Sequence, residues 1–254
     1  GVAREMDTIM AIAKKHNLLV VEDNAHGLFG EYKGAPLGTI GDFATLSFHA
    51  TKNISCGEGG ALLVNTKKLL KRAEIIIEKG TNRSQFINGQ IDKYSWVDKG
   101  SSYVLSDLLA ALLYGQLENS EEIQIKRSVI WERYFTELSG WALSNQVSLP
   151  FVPEYCKQSY HMFYMLFPEK SERDNFINYL ADHDIAAVFH YLPLDSSEMG
   201  SKIALSDQSD CPVSANISDC IVRIPMFFGL EFSEQSWIIK TIISYTVKGE
   251  NKNE

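Results

Sequence analysis

Apolar residues at positions 6, 9, 10 and 13 (Met6, Ile9, Met10, Ala13) recur with the period of a helix, and Lys14, Lys15 and His16 suit its negative C-terminal end. Just beyond, the pattern changes. Residues 18–21 are an unbroken apolar run closed by Glu22 and Asp23, which predicts a parallel strand buried on both faces with acids at its carboxyl end. A glycine-rich stretch (Gly27, Gly30, Gly34, Gly38, Gly41) leads into two more predicted strands, 43–48 and 61–64, with Gly57-Glu58-Gly59-Gly60 as a tight turn between them. Residues 67–79 read as a helix and 80–102 as a long polar loop. Residues 103–138 read as one or two helices, with Ile130, Tyr134 and Leu138 on one face.

Past Gly140 the succession differs: a strand over 162–167, a helix opened by Ser171 with Asp174 three places on, a strand over 185–189 and a final helix over 233–245. The expected organisation is α/β in two parts, a large domain over residues 1–127 and a smaller α+β domain over 128–254. The stretch 104–117 is the most apolar, but Ser106 and Asp107 interrupt it. It falls short of the roughly 20 residues that cross a bilayer, so it reads as a buried helix. The polar tail 248–254 is expected to fray.

Composition narrows the function. With 45% hydrophobic residues in 254, the chain can bury a sizeable core without staples. Its 24 basic and 32 acidic residues leave a net charge of -8, so neither nucleic acid nor an anionic membrane is an expected partner. Cys56, Cys156, Cys211 and Cys220 form no C-x-x-C pair and have no histidine at metal-ligand spacing. No metal site is expected, and scattered free thiols fit a reducing compartment. The first residues lack the pattern of an export peptide, so the expected location is cytoplasmic.

The chemistry concentrates in three segments: Val20-Val21-Glu22-Asp23-Asn24-Ala25-His26-Gly27, then Ser47-Phe48-His49-Ala50-Thr51-Lys52-Asn53, then Gly57-Glu58-Gly59-Gly60. Taken singly, each residue has a bland reading. Lys52 would be a solvated amine, Asp23 a turn cap, His26 and His49 structural histidines and Ser47 a strand-end hydroxyl. The glycine turn lacks the third glycine of a dinucleotide fingerprint and precedes a strand, not a helix. As an ordered set the segments are specific. Together with Gly80-Thr81-Asn82-Arg83, His190-Tyr191-Leu192-Pro193 and Arg223-Ile224-Pro225, they resemble the DegT/DnrJ/EryC1/StrS sugar aminotransferases.

The resemblance implies an aspartate-aminotransferase-like fold (fold type I), with part of the large domain followed by the smaller C-terminal domain, and pyridoxal 5'-phosphate as cofactor. It makes Lys52 the Schiff-base lysine, Asp23 the partner of the pyridine nitrogen, His26 a contact of the ring hydroxyl and Ser47 a phosphate contact. These assignments also make chemical sense, because the cofactor aldehyde requires a primary amine and its ring nitrogen a carboxylate. His49, His190 and Tyr191 become candidates for the substrate pocket.

The implied reaction is transamination of a nucleotide-linked keto sugar, with glutamate as donor, in cell-surface polysaccharide synthesis. Asp92-Lys93-Tyr94-Ser95-Trp96 and Gly100-Ser101-Ser102-Tyr103 draw the resemblance toward members that convert dTDP-4-keto-6-deoxyglucose to dTDP-4-amino-4,6-dideoxygalactose. Amination at C3 stays open. Lys52 argues against the related sugar dehydratases, which carry histidine there. A homodimer is implied, in which loop 80–102 and its donors Lys79, Asn82, Arg83 and Lys93 approach the neighbouring site. Val104 stands where many relatives place an asparagine that reaches the partner's cofactor, so that contact is not expected. Family members also carry a stretch ahead of the point matching Gly1, including a phosphate-cupping helix end and an aromatic over the ring. A large domain incomplete at its N-terminus is therefore expected, and a chain that keeps the fold but acts only as a binding or assembly partner is the alternative.

Overall fold

The computed structural model describes residues 1–203 and 211–247, so the tail 248–254 lies outside the described residues. Two compact units emerge: Gly1–Gln124 with Val152–His161, and Ile125–Phe151 with the chain from Met162 onward. The expected boundary after residue 127 lies near the first crossing. The chain then crosses back, because a strand within 152–161 pairs in the first unit.

The first unit opens with α1 (Met6–His16), which ends at Asn17 in the left-handed conformation. Next come β1 (Val21–Asp23) and a hairpin of β2 (Glu31–Tyr32) and β3 (Ala35–Pro36). Its two loop residues, Lys33 (φ 50) and Gly34 (φ 81), both take the positive φ that a type I′ turn demands. β4 (Phe43–Ser47) and β5 (Gly60–Val64) complete a mixed sheet ordered β1-β4-β5, parallel between β1 and β4 and antiparallel between β4 and β5. The expectation of a strand buried on both faces fails for β1. Leu18 and Leu19, which precede β1, and Val21, its first residue, are each 60% exposed, whereas Ala44 of the central strand β4 is fully buried.

α2 (Lys67–Ile77) follows, and the expected polar loop beyond it contains α3 (Arg83–Ile87) and the bridges Glu78↔Ser102 and Thr81↔Trp96. α4 (Asp107–Glu118) is capped by the Ser106 hydroxyl, which accepts from Leu109 N–H. It is not the buried helix its composition suggested. Leu105, Leu109 and Leu113 pack on a core of Phe48, Ile54, Cys56 and Ile123, but Leu108 is 85% and Leu112 53% exposed. An all-apolar helix does not reveal which of its faces a single neighbour will cover.

α5 (Ser120–Ser144) begins in the first unit and supplies the second with Ile130, Trp131, Tyr134 and Leu138, all buried. β6 (Cys156–Lys157) extends the β2–β3 hairpin into a three-stranded antiparallel sheet. The second unit continues with β7 (Phe163–Leu166), α6 (Lys170–Ala181), β8 (Val188–Phe189), α7 (Glu198–Ile203), α8 (Pro212–Cys220), β9 (Ile221–Ile224) and α9 (Phe232–Ser244). Its antiparallel sheet is ordered β7-β9-β8. Phe163, Met165, Phe176, Leu180, Val222 and Ile242 are all fully buried in it.

Local expectations here were mixed. α9 has a capping box formed by Glu231 and Glu234. Ser171 does not open α6; Glu169 holds that position, and the Ser171 hydroxyl donates to its carboxylate (2.5 Å). Phe227 and Phe228 are 49% and 39% exposed, and the Lys126 ammonium lies 4.9 Å from the Phe228 ring centroid.

Candidate functional site

Because β1 and β4 run parallel in the register Asp23↔Thr45, their carboxyl ends reach the same edge of the sheet, where ligands of open α/β sheets bind. Asp23 ends one strand and Ser47 the other. Strand alternation sends neighbouring carboxylates to opposite faces and gives them different tasks. Glu22 accepts three backbone N–H bonds, from Gly38 (2.9 Å), Ile40 (2.8 Å) and Gly41 (2.6 Å), and so organises the glycine-rich loop. Asp23 stays exposed, and its Oδ1 takes only Ala25 N–H (3.2 Å) and the Thr45 hydroxyl (3.5 Å). At the opposite end of the strand pair, Asp42 accepts from Val20 N–H (2.9 Å) and the Thr66 hydroxyl (2.7 Å). The Thr66 bond, then the Val20 bond, holds the Asp42 carboxyl below its usual range.

The chain leaves β1 through Asn24, whose N–H continues the ladder to Thr45 O (3.0 Å), and turns back with Gly27 N–H on Asn24 O (3.1 Å). A Cβ at position 27 would lie 1.9 Å from Asn24 Oδ1, so glycine there leaves the Asn24 amide in place on Leu37 O (2.9 Å). This turn presents His26.

Lys52 sits in the connection between β4 and β5. Phe48 N–H bonds Gly59 O (2.8 Å), Cys56 N–H bonds Phe48 O (3.0 Å), and Lys52 N–H closes a turn on His49 O (2.9 Å). Beneath this loop Phe48, Ile54 and Cys56 are buried, which fixes the lysine's backbone on the core. The Gly57-Glu58-Gly59-Gly60 turn closes the same loop, as its sequence suggested, with Gly57 at φ 89.

Two recesses meet at this edge. A cleft of about 320 Å³ is lined by residues including Glu22, Asp23, Asn24 and His26. A narrower recess is lined by Ala25, His26, Leu28, Ser47, Lys52, Asn53, Ile54 and His161. His26 belongs to both walls, so the fold brings Asp23, His26, Ser47 and Lys52 to one locality. His49 faces elsewhere: its Nδ1 lies 3.0 Å from Thr51 Oγ1 and its Nε2 3.6 Å from Glu58 Oε1.

His190 and Tyr191 follow β8 in the second unit, where the Ser218 hydroxyl donates to Tyr191 O (2.5 Å) and the Arg223 guanidinium lies 5.6 Å from the Tyr191 ring centroid. Of the loop donors, Arg83 pairs with Glu78 (3.2 Å), Lys79 lies 4.0 Å from the same carboxylate, and Asn82 accepts from Ser95 N–H (2.7 Å).

Sequence reasoning missed Asn53, Ser159 and His161. Asn53 is adjacent to Lys52, but its contacts lie more than a hundred positions away: its amide donates to Ser159 O (2.6 Å), and its Oδ1 lies 2.9 Å from His161 Nδ1. No local pattern in the sequence announces such a pairing.

All four cysteines are free. Among the described residues, no helix is long and apolar enough to cross a membrane.

Residues 1–243 match the profile of the DegT/DnrJ/EryC1/StrS aminotransferase family. The UDP-4-amino-4,6-dideoxy-N-acetyl-beta-L-altrosamine transaminase of Campylobacter jejuni is 30% identical over 195 residues, 76% of this chain and 50% of the relative. The spore coat polysaccharide biosynthesis protein SpsC of Bacillus subtilis is 27% identical over 253 residues, 95% of this chain and 63% of the relative. This chain thus spans between half and two thirds of those proteins. A solved DegT DnrJ EryC1 StrS aminotransferase from Brucella abortus superposes with a TM-score of 0.80 at 25% identity, covering 94% of this chain and 60% of that one.

Proposed function

Because the chain belongs to the DegT/DnrJ/EryC1/StrS aminotransferase family, we propose that it carries the cofactor-binding centre of a pyridoxal-phosphate-dependent transaminase of nucleotide-linked sugars. The observation that carries this reading is the meeting of Asp23, Ser47 and Lys52 on either side of His26 at the carboxyl edge of the β1–β4 pair.

The donor set fits the cofactor group by group. Lys52 Nζ is the only side-chain primary amine among the described residues lining the two recesses, and an amine is what an aldehyde bonds. The exposed Asp23 carboxylate matches a protonated ring nitrogen by opposite charge. The Ser47 hydroxyl can donate to a phosphate oxygen, and the His26 imidazole can bond or cover the ring. Once bound, the cofactor supplies an electron-poor ring that stabilises negative charge at a substrate carbon. Lys52 Nζ, on a loop held by buried Phe48, Ile54 and Cys56, is the base that takes and returns the proton there.

The proposed acceptor is dTDP-4-keto-6-deoxyglucose and the donor glutamate, in the cytoplasm, supported by the resemblance at 92–96 and 100–103. His190 and Tyr191 are proposed for the sugar, and His49, which turns toward Glu58, is left out of that role. A UDP-linked acceptor is the second reading, favoured by the name of the Campylobacter relative. The proposed assembly is a homodimer, supported by the apolar face that α4 leaves open at Leu108 and Leu112.

Borohydride reduction in the presence of pyridoxal phosphate tests the centre: pyridoxyl mass is expected on the peptide holding Lys52. Label on a different lysine overturns the assignment. Turnover of dTDP- against UDP-linked 4-keto sugars separates the two acceptors.

A further inference from the structure

The segment 152–161 leaves the second unit's span of sequence, returns to the first unit, and ends on His161, which is 8% exposed and lines the recess of Lys52. Its ring stacks on His26, with centroids 4.3 Å apart and planes 24° from parallel. Its Nδ1 lies 2.9 Å from Asn53 Oδ1. Asn53 spends its amide group on Ser159 O (2.6 Å), so the atom facing His161 is the carbonyl oxygen, an acceptor, and the proton of that bond belongs to His161 Nδ1. The Ser159 hydroxyl donates in turn to His26 O (2.6 Å), and Gln124 Nε2 to Ser159 O (2.8 Å). A closed circuit therefore runs from Lys52's chain neighbour, Asn53, through His161 to the ring of His26, and back through Ser159 to the His26 backbone.

We infer that His161 is a positioning residue of this centre: through Asn53 it fixes the backbone that carries Lys52, and through its ring face it sets the plane of His26. This rests on the reading of Lys52 and His26 given above. The physical case is that both partners are loop residues, on 48–59 and 24–27, and short loops hold an angle only where side chains tie them. Asn53 and His161 are both buried, so their bond is made away from water and its loss leaves an unsatisfied polar group beside Lys52.

The test measures the pH profile of Lys52 acetylation by acetic anhydride in cofactor-free protein, read by peptide mass, in His161→Phe, His161→Gln and Asn53→Leu. His161→Phe keeps a ring against His26 and removes the donor; Asn53→Leu cuts the same bond from the other side and with it the amide bond to Ser159 O; His161→Gln restores an N–H donor without the ring. His161→Phe and Asn53→Leu are each expected to change the Lys52 rate at least threefold. The double variant should go no further than Asn53→Leu alone, and His161→Gln should return part of the way to the parent rate.

An unchanged Lys52 profile in a folded His161→Phe protein, or additive effects in the double variant, overturns the inference. If His161→Phe fails to fold, Asn53→Leu against His161→Gln decides by the same profile. Failure of the transaminase reading looks different: Lys52 then takes no pyridoxyl label in the unsubstituted protein, whatever its acetylation profile does.

Discussion

The two units distribute their apolar residues differently. In the second, β7 alternates buried and half-buried positions, β9 is buried at three of four, and α9 buries Gln235, Ile238, Ile239, Thr241 and Ile242. In the first, neither α2 nor α4 has a fully buried residue, and β1 leaves Val21 60% exposed. The candidate site belongs to this more open unit. Its order comes from local anchors instead: the buried residues under the Lys52 loop, the three N–H bonds on Glu22 and the His161 circuit. The uncovered faces of β1 and α4 are hydrophobic free energy not yet used, at about 25 cal/mol for each Å² that a partner would bury.

The sharpest way to break this contrast is to change chemistry without touching packing. Asp23→Asn should lower transamination by about a thousandfold, the scale of losing a charge that acts on the reacting group, while its unfolding midpoint stays that of the parent. Near-normal turnover would show that the carboxylate facing the larger cleft is not the partner of the ring nitrogen.

Stability substitutions probe the packing side of the comparison. Leu180→Ala, at a fully buried site of the second unit, should cost about 2–5 kcal/mol in urea unfolding. The same change at Leu18, 60% exposed in the first unit, should cost less than about 0.5 kcal/mol. Equal losses would mean that the apolar stretch leading into β1 is covered in solution.

Leu108→Lys addresses what covers α4. We expect under about 0.5 kcal/mol of change in the subunit's own stability but a shift from dimer to monomer in light scattering at micromolar concentration. A variant as dimeric as the parent would move the proposed contact off this helix.

The smallest effect is electrostatic. In α6 the hydrogen bond from Lys170, then that from Arg173, holds the Asp174 carboxyl below its ordinary range. A depressed folded value stabilises the protein fully above the ordinary carboxylate pKa, and that contribution fades as pH falls through the folded value. The group is 42% exposed, so screening keeps the term under about 1 kcal/mol. Asp174→Asn should flatten the acid limb of a stability-against-pH curve by no more than this, and a steeper limb would reverse the assigned sign.

Local chemistry was legible where the signal was local. The helix over 6–16, the strands that flank Gly57-Glu58-Gly59-Gly60 and the final helix follow from period, charge at helix ends and turn residues, all acting within a few positions. The set Asp23, His26, Ser47 and Lys52 was picked out by the family resemblance of its motifs, and the parallel pairing of β1 with β4 is what brings the ends of those strands to one edge. Burial was not. The runs 18–21 and 104–117 are mostly apolar, yet which face meets a neighbour depends on elements far along the chain, so the expected burial of 18–21 and α4 failed. The strands β2, β3, β6 and β9 were also missed. The first three are two residues long, too short to show a period, and β6 exists only because residues 152–161 return to the first unit.

The sequence by itself therefore determined the identities and order of the groups proposed for the cofactor, since an amine, a carboxylate, an imidazole and a hydroxyl carry their chemistry wherever they stand. Only the tertiary structure decided that Glu22 organises a loop while Asp23 faces the cleft, that His49 turns toward Glu58, and that His161 lies on His26 beside Asn53. The physical reason is range: propensity and pattern act over a turn or a strand, whereas a contact across 108 positions is set by packing, which no short window of sequence contains.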